Sequence, residues 1–233
     1  MNSAMPSPLD NIEVVAAALE SIRTRFVFAG AGILPLLIEP QFVPDLRPTQ
    51  DVDAVVQVLH FGEWMRLRTA LLASGFRERA VVAQSRQILF WLGDLQVDFI
   101  PPRLREFGTA NRWLDLGFEL AEESRLPSGR VIERIPASAF LAAKVAAFLS
   151  RGRRDVFRSD DLDDIAALLI GRPALAGEIS FAHPEIRAYV REHFAGFRRD
   201  REVWDALPGY VRSPEQLGGL LDAFDGVTAG ARE

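Results

Sequence analysis

The spacing of apolar residues divides the chain into two differently patterned parts. Ile12, Val15, Ala16, Leu19 and Ile22 recur at helical intervals and predict an amphipathic helix over Leu9–Arg23. Phe26-Val27-Phe28-Ala29 is a short apolar run entering Gly30-Ala31-Gly32, the pattern of a buried strand ending in a turn. A short helix is predicted over Ile33–Ile38, with Pro35 in its first turn, and the prolines of 39–50 (Pro40, Pro44, Pro48) predict loop. Asp51–Leu59 has strand length and β-branched residues, and Gly62–Ser74 reads as a helix stopped by Gly75. Gln87–Leu92 and Leu95–Ile100 flank Gly93-Asp94, a hairpin dipeptide. Phe118–Glu122 and Val131–Ile135 are expected to form another strand pair about a turn at Pro127–Gly129. After residue 135 the pattern is helical, with helices predicted over Ala139–Ser150, Asp161–Ile170, Pro184–Phe194 and Pro214–Phe224. The expected organisation is an α/β (α+β) core over 1–135 followed by a helical C-terminal region over 136–233.

Composition narrows the chemistry. At 233 residues, 48% hydrophobic and 25% charged, the chain is long enough to bury a core without covalent staples. With no cysteine there is no disulfide, thiolate metal ligand or thiol nucleophile. The three histidines, His60, His183 and His193, are a poor basis for a metal site. A net charge of -5 argues against broad electrostatic binding of nucleic acid, although the arginines in 103–112 and 151–158 leave room for a local basic groove. No apolar run has the length of a membrane span, and Met1–Asp10 has no basic segment leading into an apolar core, so the expectation is a loose leader on a cytoplasmic protein. Of the 27 basic residues, Lys144 alone is a lysine.

Asp51 and Asp53 open a predicted strand, where side chains two apart share a face. Asp98 lies near the end of the predicted strand Leu95–Ile100, and three carboxylates converge if the two strands are neighbours. Hard oxygen ligands of this kind suit Mg2+ or Mn2+, which in turn bind triphosphate oxygens and clamp an in-line phosphoryl displacement. Upstream, Gly30-Ala31-Gly32 stands where a strand meets a helix, a place where the backbone can approach phosphate. D-x-D by itself is a common polar strand entrance; its company gives it weight. Downstream, Lys144 and Arg151 stand seven apart in KVAAFLSR, a spacing that puts both on one helical face, and Asp161-Leu162-Asp163-Asp164-Ile165 follows. Asp160 in that run reads equally as a helix cap.

This order of motifs resembles the nucleotidyltransferase superfamily with the polymerase-β-type catalytic core. The form R-x-T-x-D-x-D (Arg47, Thr49, Asp51, Asp53), followed by the lysine–arginine pair and a D-x-x-D segment, is similar to the AbiE-type branch, the toxin subunits of abortive-infection and type IV toxin–antitoxin systems. The resemblance spans Val27 to Leu169. It implies a mixed β-sheet core with flanking helices, a C-terminal region completing a nucleotide cleft, and transfer of a nucleoside monophosphate from an NTP to a hydroxyl of tRNA, a protein or a small molecule. It further implies an antitoxin protein as a possible partner. By residue, it implies metal binding by Asp51, Asp53 and Asp98 and catalytic roles for these three, Lys144 and Asp161. It implies nucleotide binding by Gly30, Ala31, Gly32, Arg47, Thr49, Lys144, Arg151 and Asp164. The chain departs from the family at the first motif, usually G-G-x-A or G-S: Ala29-Gly30-Ala31-Gly32 has one glycine fewer and no hydroxyl. That departure leaves a second expectation open, a catalytically degenerate relative that binds nucleotide or a partner protein.

Overall fold

Ser7 starts the first helix before the predicted leader has ended. Its Oγ accepts the Asp10 N–H at 3.2 Å, the Asp10 carboxylate accepts the Ser7 N–H at 2.9 Å, and Pro8 falls in the first turn. The computed structural model describes residues 7–78, 88–103 and 111–229. Helix α1 (Pro8–Leu19) stops short of Arg23 because its buried stripe, Ile12, Val15, Ala16 and Leu19, ends there. The chain divides into two compact units, one of residues 1–35 and 47–135, the other of 36–46 and 136–233.

The first unit is built on a seven-stranded mixed sheet, order β3-β4-β5-β2-β1-β7-β6. Its strands are β1 (Phe26–Ala29), β2 (Val52–Val56), β3 (Arg77–Glu78), β4 (Ile88–Leu92), β5 (Leu95–Ile100), β6 (Glu122–Arg125) and β7 (Val131–Arg134). Strand β2 lies antiparallel to β1 and parallel to β5, while β1 lies parallel to β7. The β4–β5 hairpin turns at Gly93, whose φ of 62° is the left-handed conformation that a tight hairpin requires. Helix α2 (Leu34–Leu37) is one turn preceded by a 3-10 turn over Ala31–Ile33, tighter than the continuous helix expected there, and Pro40–Asp45 forms 3-10 turns within the predicted loop. Helix α3 (Phe61–Ala73) is capped by His60 Nδ1, which accepts the Glu63 N–H at 3.2 Å.

One expected strand is a helix. Phe118 lies in α4 (Arg112–Glu119), and the strand that pairs with β7 begins at Glu122. Asn111 caps α4, and Trp113, Gly117 and Phe118 share its buried face, so helical packing overrides the strand preference of the aromatic. Phe99 centres the core of this unit, with Phe76 and Phe90 each at a ring separation of 5.5 Å.

The second unit is helical throughout its described residues after Pro136: α5 (Ala137–Ser150), α6 (Asp160–Gly171), α7 (Leu175–Phe181), α8 (Pro184–Phe197), α9 (Arg201–Ala206) and α10 (Pro214–Ala229). Helices α7 and α9 are absent from the expectation because each is too short for a full apolar stripe. The core includes Phe148 against Phe197 and Phe194 against Phe224. The 36–46 segment docks on α6. Glu39 N–H donates to the Gly171 carbonyl at 2.8 Å, and a Cβ on Gly171 would stand 2.6 Å from Ile38 Cβ. No helix among the described residues is long and apolar enough to cross a membrane.

Candidate functional site

In the first unit, strand register pairs two of the aspartates. Asp53 is the Cα partner of Asp98 across the parallel β2–β5 ladder and of Ala29 across the antiparallel β1–β2 ladder. Directly paired residues project on the same face, so both carboxylates stand on one side of the sheet. Asp51 precedes β2 and is exposed. Asp98 is 9% exposed, and its pKa is raised from 3.8 to about 7. Burial is the main cause; the charges of Asp53 and, less strongly, Asp51 add to it, and a hydrogen bond from Gln96 Nε2 at 3.3 Å opposes it. Gln96 had no place in the sequence expectation, although its position two before Asp98 on a strand is a usable signal.

Gly30 closes this corner. Its φ of 68° favours glycine, and a Cβ there would lie 1.7 Å from Asp53 Oδ2, so any side chain would displace the carboxylate. Gly32 is buried but under no such demand: a Cβ would meet the Asp51 carbonyl at 3.5 Å, an ordinary contact. Ala29 ends β1 and is buried beside Asp53. Ala31 begins the 3-10 turn, and Arg47 and Thr49 are half-buried in the segment leading to Asp51. On α1, Asn11 Nδ2 reaches the Gln50 carbonyl at 3.5 Å.

The donor set suits a hard divalent ion, and such an ion would cancel the Asp53 and Asp51 repulsion that adds to the effect of burial on Asp98. Among the described residues no group of three or more His, Asp or Glu side chains forms a ready-made metal site. The three aspartates therefore fit Mg2+ or Mn2+ in chemistry, with side-chain adjustment needed to close around it.

The second unit holds the other predicted cluster. Lys144 Nζ lies 2.6 Å from Asp164 Oδ2 and 3.5 Å from Asp161 Oδ1, and Arg151 grips Asp161 with two hydrogen bonds of 2.8 and 2.9 Å. The aspartates are 3% and 1% exposed, whereas the Arg151 side chain is 64% exposed. Burial pushes the Asp161 carboxyl up, but the Arg151 hydrogen bonds and the Lys144 and Arg151 charges outweigh it and hold the pKa below the ordinary carboxylate value. Arg151 reaches Asp161 differently from the expectation: it is the C-cap of α5, off the helix, so a shared helical face is not what brings the two cations together. Ser159, not Asp160, caps α6, its Oγ accepting the Leu162 N–H at 3.3 Å. Asp161 and Asp164, one helical turn apart, face Lys144.

Other charged residues have structural partners. Arg103 is bound to Asp115 and Glu119 on α4, and Arg105 lies outside the described residues. A cavity of about 810 Å³ in the first unit, lined in part by Leu19, Thr24, Phe26, Arg130 and Val131, contains none of the predicted site residues. Its rim is laced by ion pairs, Arg25 with Glu133 and Arg130 with Glu20.

Comparison with solved structures bears on the fold. The solution structure of the antibiotic-resistance factor ANT(2'')-Ia matches at a TM-score of 0.50 and 15% identity, over 82% of this chain and 94% of that one. The fold is that of a nucleotidyltransferase. JHP933 from Helicobacter pylori matches this nucleotidyltransferase fold at a TM-score of 0.50 and 11% identity, over 97% of this chain and 94% of that one. A nucleotidyltransferase-like antigenic protein from Paracoccidioides brasiliensis follows at 0.49 and 18% identity, over 93% of each chain. No family model and no curated protein matches the sequence.

Proposed function

We propose that the protein is a metal-dependent nucleotidyltransferase that moves a nucleoside monophosphate from an NTP to a hydroxyl acceptor and releases pyrophosphate. The observation that carries this reading is the pairing of Asp53 with Asp98 across one ladder, with Gly30 so close to Asp53 that only a glycine leaves the carboxylate in place. Two carboxylates on adjacent strands, one held near half-protonation at neutral pH, cost stability without serving the core, and a cation-dependent site explains why they are there. Mg2+ or Mn2+ bound by Asp51, Asp53 and Asp98 would polarise phosphoryl oxygens and lower the pKa of a hydroxyl.

The chain's own groups take the remaining roles. Asp98, in its ionised form, accepts the proton of the attacking hydroxyl. The Gly30–Gly32 turn offers backbone amides to phosphate, and Arg47 and Thr49 contact the nucleotide. Lys144 and Arg151 supply positive charge to the triphosphate, with Asp161 and Asp164 fixing their direction. Within the superfamily, the R-x-T-x-D-x-D motif supports the AbiE-type toxin branch and an antitoxin partner. The acceptor is a hydroxyl of tRNA, a protein or a small molecule.

Calorimetric titration with each of the four NTPs, with and without Mg2+, tests the reading. Metal-dependent binding of at least one NTP is expected, and Asp51→Ala with Asp53→Ala is expected to abolish it while leaving the circular dichroism spectrum unchanged. Binding that survives the double substitution removes both aspartates from the site. No binding of any NTP by the unsubstituted chain would leave a catalytically degenerate fold, its pocket disabled by the altered Ala29–Gly32 turn.

A further inference from the structure

Tyr210 ends a 3-10 turn over Leu207–Tyr210 that follows α9, and its hydroxyl is used in both directions. The Ser159 N–H donates to Tyr210 Oη at 2.9 Å, and the Tyr210 O–H donates to the Val156 carbonyl. These contacts close the connection between α5 and α6. That connection starts at Arg151, the α5 C-cap, and ends at Ser159, the α6 N-cap. Its two ends already touch, since a Cβ on Gly152 would stand 2.4 Å from Ser159 Oγ. Val156 is 1% exposed and anchors the middle.

The connection joins the two residues that meet at Asp161. Arg151 lies at one end, and Asp161 lies two residues beyond the other. Ser159 sets where α6 begins, and through it the rotation that turns Asp161 and Asp164 toward Lys144. Only a group that both donates and accepts can bridge a carbonyl and an N–H in this way, and a tyrosine hydroxyl has both capacities on a rigid ring.

We propose that Tyr210 is a positioning residue for the nucleotide site: its hydroxyl, clasped between the Ser159 N–H and the Val156 carbonyl, holds the α5–α6 connection so that Asp161 and Asp164 aim Lys144 and Arg151 at the triphosphate. This rests on the nucleotide reading above, and no motif in the sequence points to it. Tyr210 touches no reacting group and acts through the cluster alone.

Tyr210→Phe keeps the ring and removes both hydrogen bonds. Competition against a fluorescent NTP gives dissociation constants for the NTP and for the matching NMP, and their ratio reports what the outer phosphates contribute. In Tyr210→Phe that ratio is expected to fall about tenfold, with NMP binding unchanged. Ile179→Val, which loosens the same unit from α7, away from α9 and the Tyr210 turn, supplies the stability control. At a comparable loss in Tm it is expected to keep the ratio of the unsubstituted chain. An unchanged ratio in Tyr210→Phe, or an equal fall in Ile179→Val, overturns the proposal and leaves the hydroxyl a purely structural clasp. Failure of the unsubstituted chain to bind NTP overturns the nucleotide reading itself, and this inference with it.

Discussion

Asp98→Asn should stabilise the first unit, and should do so only where the carboxyl would otherwise be charged. The folded chain raises the Asp98 pKa from 3.8 to about 7, with burial and the neighbouring Asp53 as the main causes. Between those values the folded state keeps a proton that the unfolded chain has released, so stability falls as pH rises through this window. At ~1.36 kcal/mol per unit, a shift of about three units penalises the ionised form by ~4 kcal/mol once the pH is well above 7. Asparagine is nearly isosteric, stays neutral, and its Oδ1 still accepts the Gln96 hydrogen bond. The variant should therefore gain about 2–4 kcal/mol near pH 8 and less than about 1 kcal/mol near pH 4. Urea unfolding followed by tryptophan fluorescence suits the assay, because Trp64, Trp91 and Trp113 belong to the first unit and only Trp204 to the second. Added Mg2+ should narrow the difference near pH 8 by stabilising the unsubstituted chain alone. Equal pH slopes for the two proteins, or a variant less stable near pH 8, would refute the argument that Asp98 is held protonated by its surroundings.

Gly30→Ala should cost about 2–4 kcal/mol, combining a glycine-only backbone conformation with a Cβ 1.7 Å from Asp53 Oδ2. Metal-dependent NTP binding should disappear with it, which calorimetry checks. Lys144→Met should destabilise the helical unit by about 3–5 kcal/mol in denaturant followed by far-UV circular dichroism, because Asp164 loses its 2.6 Å cation while only 1% exposed. Lys144→Arg should fold but bind NTP more weakly by calorimetry; unchanged binding would reduce Lys144 to a structural ion pair.

Locally encoded features were legible in the sequence. Strand β1, the Gly93-Asp94 hairpin and helix α3 follow from runs of a few residues with their own turn or cap signals, and each stands within a residue or two of its expected bounds. The juxtaposition of Asp53 and Asp98 depends on a parallel pairing between strands far apart in sequence, which periodicity alone leaves conditional. Phe118 shows the opposite difficulty: an aromatic in a short window fits strand or helix, and only burial together with Trp113 decides. Ser159 and Asp160 are both good caps standing side by side, so sequence could not choose between them. Gly30 was legible as a glycine in a turn after a buried strand, but its steric relation to Asp53 needed the β1–β2 register. Tyr210 was invisible, since a hydroxyl that bridges backbone groups across a long stretch of sequence leaves no local pattern.

The solitary lysine of an arginine-rich chain now has a physical explanation. Two buried carboxylates a helical turn apart on α6 converge on one point of α5, and the side chain that serves them is 12% exposed. A compact ammonium with three rotatable donors can divide itself between Asp164 and Asp161. A planar guanidinium in the same slot would commit its fork to one carboxylate, and that mode of contact is already in use, by Arg151 on Asp161. The cluster thus uses each cation for the geometry it alone supplies: the rigid fork from the exposed side, where a long side chain has room, and the point charge from within. Salt-bridge strength alone does not account for the arrangement, because a buried pair seldom outperforms apolar packing of the same volume. What it does achieve is direction: the ammonium is held between two fixed anions. Under the nucleotide reading proposed above that direction serves a triphosphate as well as the helical unit, and Lys144→Arg separates the two roles.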